Sequence, residues 1–67
     1  MNWDEVEGKW KEYSGKARER WGRLSDDDLE KIAGKRDQLV GKIQQSYGIK
    51  KEEAEKQVAE FEEATRH

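Results

Sequence analysis

The 67-residue chain has no cysteine, no proline, a single histidine and no long hydrophobic run. Each absence removes a class of explanation. Without cysteine, neither a disulfide nor a thiolate metal site can brace a chain this small. Without proline, helix ends are left to glycine and capping chemistry. The one histidine is His67, the terminal residue, where no rigid scaffold can orient it as a base or a ligand. No stretch approaches the ~20 apolar residues of a membrane span, and MNWDEVEGK opens on acids instead of the apolar run of a signal peptide. A soluble, cytoplasmic protein is expected.

Apolar residues are also scarce, at 31% against 45% charged, a balance close to that of chains that never fold. Three Trp, two Tyr and one Phe still supply a thin core. A single small domain of this length buries only roughly 60% of its unfolded surface, so its stability is expected to be modest. The net charge is only -2, which gives no global field to draw the chain onto nucleic acid or anionic lipid. Charge does segregate locally: residues 1–24, 25–34, 35–51 and 52–67 carry +1, -3, +4 and -4. A basic segment followed by an acidic one points to internal pairing.

What the chain does have is patterned glycine. All six glycines form two ladders at seven-residue spacing, Gly8, Gly15, Gly22 and Gly34, Gly41, Gly48, the second copying the first 26 positions on. Lys9, Lys16 and Trp21 recur as Lys35, Lys42 and Tyr47, which marks an internal duplication and fixes the unit of the fold. Among the apolar positions Trp3 matches Leu29, Val6 Ile32, Tyr13 Leu39 and Ala17 Ile43, whereas Trp10 against Arg36 and Leu24 against Lys50 depart.

Trp3, Val6, Trp10, Tyr13, Ala17, Trp21 and Leu24 recur at the three- and four-residue steps of one helical stripe. Asn2 and Glu5 suit the start of this helix, and Gly22 suits a left-handed residue at its end. Ser25 with Asp28 forms a capping box, with Asp26 and Asp27 at the positive end of the helix dipole. Leu29, Ile32, Leu39, Ile43 and Tyr47 continue a stripe that Gly34 and Lys35 are expected to break. After Gly48, Ile49 and Ala54 can staple a last helix whose stripe is Ala54, Val58, Phe61 and Thr65. Helices are therefore expected over about 3–21, 26–33, 35–47 and 51–64. The fold class is all-α: a small four-helix domain in which two duplicated hairpins, each unable to bury its stripe alone, pack across one another. Glu5–Lys9, Glu7–Lys11, Glu12–Lys16, Glu19–Arg23, Asp27–Lys31 and Glu52–Lys56 set an acid four residues before a base, and add roughly 0.2–0.5 kcal/mol per pair.

At 100° per residue the glycines fall opposite the core stripe, so tight packing does not account for them. Gly22 and Gly48 serve as helix ends, whereas Gly8, Gly15 and Gly41 sit in helix interiors at about 1 kcal/mol each relative to alanine. Lys9, Lys16, Arg20, Lys35 and Lys42 flank the stripe as a basic edge, the candidate interaction site of the chain. A nucleic-acid backbone could lie along it. The plainer reading is a solvated edge whose long stems cover the aromatic residues.

Little else suggests chemistry. Asp26, Asp27 and Asp28 lack the alternating ligands and distal glutamate of a calcium loop, and helix capping explains them. The GK pairs lack the spacing of a phosphate loop. Carboxylate pairs such as Glu52 and Glu53 read as solvated faces. No catalytic residue, metal site, cofactor or small-molecule substrate is expected. Trp3, Trp10 and Trp21 with their basic flanks could adsorb to a lipid interface, but the acids on the same helix oppose an anionic leaflet, and a core role is favoured.

The segments GKWKEYSGK, WGRLSDDD and AGKRDQLVGKIQQSYG, in that order, resemble the CsbD-like family of small bacterial general-stress proteins, and within it the YjbJ-type members. The resemblance covers nearly the whole chain. It implies two roughly orthogonal helical hairpins, a cytoplasmic location and induction under general stress, with no reaction and no functional residues to carry over. The leading expectation is thus a non-enzymatic stress-response protein, acting through weak interactions as a monomer or weak homo-oligomer. A nucleic-acid-binding module and membrane-surface adsorption are the alternatives.

Overall fold

The stripe from Trp3 to Leu24 folds as two helices, not one. The structure is a computed structural model that describes residues 3–64. Asn2, expected as a cap, Thr65, expected on the last stripe, and His67 lie outside the described residues. Five α-helices follow in order: α1 (Trp3–Gly8), α2 (Trp10–Arg20), α3 (Asp26–Ile32), α4 (Arg36–Tyr47) and α5 (Lys51–Ala64). No strand occurs among the described residues.

The expected helix over 3–21 is interrupted at Lys9, whose φ of -115° and ψ of 30° leave the helical region. Gly8, the residue before it, is the weakest helix former on that stretch. The break is local. Lys9 N–H still donates to Glu5 O at 3.0 Å and Val6 O at 3.3 Å, and Tyr13 N–H still donates to Lys9 O at 3.1 Å. The apolar register therefore survives, and the stripe carries no trace of the interruption.

The second junction is sharper. Ala33 and Gly34 both take positive φ, 51° and 78°, and Lys35 N–H closes the turn on Ile32 O at 2.9 Å. Gly34 departs from the expectation that the glycines lie away from packed surfaces. It is buried, and a Cβ placed there would sit 2.7 Å from the Glu7 Cα. Only a residue without a side chain lets α1 come this close. Gly48 ends α4 in the left-handed region at φ 63°. Gly22 does not take the left-handed role expected of it: the chain leaves α2 one residue earlier, at Trp21, with φ -119° and ψ 77°. That exit turns the indole inward, leaving Trp21 only 1% exposed.

Ser25 starts α3 as expected: its hydroxyl accepts from Asp28 N–H, and the Asp28 carboxylate accepts from Ser25 N–H, both at 3.1 Å. Helices adjacent in sequence pack on one another, α4 against α5 most extensively. The core they enclose draws Val6 from α1, Tyr13 and Ala17 from α2, Leu29 and Ile32 from α3, Leu39, Val40 and Ile43 from α4, and Ala54, Val58 and Phe61 from α5. Trp21 and Leu24 complete it from the α2–α3 connection. Each full-sized aliphatic contributes about 1.5–3 kcal/mol by leaving water. Trp21 and Phe61 stack in a tilted pair with centroids 5.2 Å apart, worth a further ~1 kcal/mol.

Candidate interaction surface

The five cations of the basic edge divide between two helices. Lys9 precedes α2, Lys16 and Arg20 lie on it, Lys35 precedes α4 and Lys42 lies on it. Three are held by acids from other elements. Lys35 Nζ lies 2.7 Å from Glu7 Oε2 of α1, Lys42 Nζ lies 3.3 Å from Asp28 Oδ1 of α3, and an Arg20 guanidinium N–H donates to Glu60 Oε1 of α5 at 3.0 Å. Lys16 Nζ sits 5.3 Å from the Tyr13 ring centroid, and the Arg20 guanidinium carbon 5.6 Å from that of Trp21, so their stems cover aromatic surface. Lys9 is exposed.

Internal pairing takes a different route from the one charge segregation suggests. The basic segment 35–51 reaches back to Glu7 and Asp28, and the acidic last helix pairs with Arg20 of α2. The pairs bridge helices because Glu7 and Asp28 project from α1 and α3 beside the start and middle of α4. Hydrogen bonding and charge from Glu7 raise the Lys35 ammonium above the ordinary lysine range. The Ser25 backbone N–H, with help from Lys42, holds the Asp28 carboxyl below the usual carboxylate range.

All three indoles turn inward. Trp3 Nε1–H donates to Gly34 O, Trp10 Nε1–H to Leu29 O at 2.8 Å and Trp21 Nε1–H to Gln57 Oε1 at 2.9 Å. Trp3 and Trp10 are half-buried, packed against the core. No helix among the described residues is long and apolar enough to cross a membrane. Among the same residues no group of three or more His, Cys, Asp or Glu is gathered to hold a metal ion.

One feature escapes charge counting. A groove of about 600 Å³ runs between α2 and α3, with Trp10, Ser14, Gly15, Leu29 and Ala33 inside it and Lys11, Arg18, Asp26 and Glu30 along its rims. Arg18 and Asp26 pair across it. The signal for it in the sequence is Gly15: exposed, with nothing within 4 Å of where a Cβ would be, it leaves the middle of α2 bare beside the Trp10 indole.

Fold and surface together define a small all-helical domain in which Arg20, Lys35 and Lys42 of the basic edge are held by its own acids. The chain belongs to the CsbD-like family, whose model matches residues 4–56, and within it to the YjbJ-type members. A UPF0337 protein of Pectobacterium atrosepticum is 59% identical over 63 residues, covering 94% of this chain and 91% of the relative. The UPF0337 protein YjbJ of Escherichia coli K12 is 58% identical over 62 residues, 92% of this chain and 90% of its own. A UPF0337 protein of Nitrosomonas europaea is 59% identical over 61 residues, 91% of this chain but 65% of the relative.

Proposed function

We propose that this chain is a non-enzymatic, cytoplasmic stress-response protein that works through weak, reversible surface contacts. Its architecture is read as two helical hairpins descended from the 26-residue duplication and packed roughly at right angles. One observation carries the functional reading: Arg20, Lys35 and Lys42 of the candidate edge are each engaged by an acid of a different element. A polyanion would have to compete with Glu60, Glu7 and Asp28 at each of these positions. Exposed ion pairs are individually weak, so the competition sets a modest affinity and not a barrier. Family membership supports the stress assignment, through the general-stress character that the CsbD-like resemblance implies.

The second reading, a nucleic-acid-binding module, draws on Lys9 and Lys16, which are exposed and have no acid partner among the described residues. One experiment separates the two. Purified chain and a variant with Lys9, Lys16, Arg20, Lys35 and Lys42 changed to Gln are titrated with DNA and RNA at low and physiological salt, and both are cross-linked in stressed cells. The proposed function expects protein cross-links shared by both chains and no salt-resistant nucleic-acid binding. Binding that disappears with the five glutamines and falls steeply with salt would establish the nucleic-acid module instead.

A further inference from the structure

We propose that the α2–α3 groove receives a second copy of this chain, giving a weak two-fold dimer in which each α2 lies against the partner copy's α3. The inference rests on the reading of weak surface contacts and names one of them. Three observations converge on it.

The groove is open where a backbone could enter. Gly15 has nothing within 4 Å of its absent Cβ, and Trp10 beside it is only half-buried although its N–H is already satisfied by Leu29 O. An apolar ring face with its polar atom paired gains by being covered, and a bare glycine allows the covering helix to come close.

The rims carry opposite charge. Lys11 and Arg18 border the α2 side, Asp26 and Glu30 the α3 side; Arg18 and Asp26 already pair with each other, which leaves Lys11 and Glu30 to meet a partner. A uniformly acidic or basic partner would be repelled by one rim. The surface that matches both is the same groove turned about a two-fold axis running along it, which sets the basic rim of each copy over the acidic rim of the other. Lys11 then meets Glu30 of the partner copy, and each such contact occurs twice.

Helix direction agrees. Arg18 meets Asp26 while Trp10 meets Leu29, so α2 and α3 run in opposite senses. Laying α2 on the partner's α3 therefore pairs antiparallel helices and completes a four-helix arrangement with opposed dipoles. The seven residues of α3 span only about 10 Å, which places the contact among small, transient interfaces.

Sedimentation equilibrium of the full chain over a wide concentration range, with amide and indole NMR spectra on the same samples, tests this. A monomer–dimer equilibrium is expected, with the Gly15 amide and Trp10 indole signals moving on dilution. K11E and E30K should each weaken association about tenfold or more, since each reversal creates two like-charge contacts. An equimolar mixture of the two variants should recover it, because every K11E–E30K contact is again between opposite charges. Gly15→Leu should abolish dimerisation while circular dichroism shows the fold retained. A chain that stays monomeric throughout overturns the proposal, as does a dimer indifferent to both reversals and to Gly15→Leu, or a mixture that fails to associate. Groove signals that move only on adding a foreign helical peptide also overturn it. None of these failures touches the cross-links in stressed cells, so the proposed function stands or falls separately.

Discussion

Gly8 and Gly34 occupy the same rung of the two glycine ladders, 26 residues apart, each followed by a lysine, and they do opposite work. At Gly34 the backbone is left-handed, the residue is buried, and α1 presses so close that a Cβ would overlap the Glu7 backbone. At Gly8 the backbone is helical, the residue is exposed, and a Cβ would meet nothing within 4 Å. Sequence identity at a repeat position thus does not transfer a structural role. What differs is the neighbour: Gly34 faces Glu7 of α1, and Gly8 faces solvent.

The largest test of this contrast is Gly34→Ala. Left-handed backbone costs a non-glycine residue ~1–2 kcal/mol, and forcing a methyl against fixed backbone adds ~1–3 kcal/mol, so a loss of about 3 kcal/mol is expected. In a domain of this size that lowers the melting temperature by more than ~10 °C. Gly8→Ala should do the reverse and raise stability by a few tenths to ~1 kcal/mol. Equal losses at the two positions would mean that the junctions are equivalent and the comparison wrong.

Next come Gly15→Ala and Gly41→Ala. Both glycines are exposed inside helices with open space at the missing Cβ, so each alanine should add about 1 kcal/mol, and the double variant about twice that. Thermal denaturation and helical ellipticity check it. No gain from either would show that these glycines hold a local conformation instead of giving up stability.

How much of this was legible follows from what helical periodicity records. The stripe residues Val6, Tyr13, Ala17, Leu29, Ile32, Leu39, Ile43, Ala54, Val58 and Phe61 are all buried, because three- and four-residue spacing reports directly which face turns inward. Val40 is buried outside that pattern, since it lies one residue, or 100°, off the Leu39–Ile43 line and the inward face of α4 is wider than a single stripe. The break at Lys9 was hidden because hydrogen bonds on both sides keep the apolar register. The burial of Gly34 was hidden for a different reason: it depends on α1 crossing a turn far away in sequence, and glycine has no side chain whose character could announce it. The acid partners of the basic edge were not readable. Glu7, Asp28 and Glu60 lie 28, 14 and 40 positions from the cations they hold, beyond any local pattern.

A smaller effect is expected at the start of α3. Ser25→Ala removes the hydroxyl that accepts from Asp28 N–H and should cost about 1 kcal/mol. Asp28 supplies the other half of the box, and its pKa is lowered in the fold. A depressed carboxyl contributes stability that is fully present above the ordinary aspartate value, near ~3.9, and is lost as the pH falls through the folded value. Asp28→Asn should therefore flatten the acid limb of the stability curve. An unchanged limb would assign acid sensitivity to other carboxylates.

The smallest expected effect returns to the Gly34 junction, where two things bring α1 against the start of α4: the backbone contact and the Glu7–Lys35 ion pair. Glu7→Gln separates them, because glutamine keeps the Cα and Cβ that Gly34 accommodates and removes only the charge. Lys35 is exposed enough for water and salt to screen its partner, so the loss should be well below that of Gly34→Ala and should shrink further as salt is added. The pH signature is specific. A lysine whose pKa is raised on folding contributes stability below its unfolded value, near ~10.4, and loses it as the pH rises through the folded one. Glu7→Gln should thus flatten the alkaline limb and leave the acid limb, set by Asp28, in place. Should Glu7→Gln cost as much as Gly34→Ala, the junction would be held by charge, and Gly34 and Gly8 would differ in circumstance but not in what they contribute to the fold.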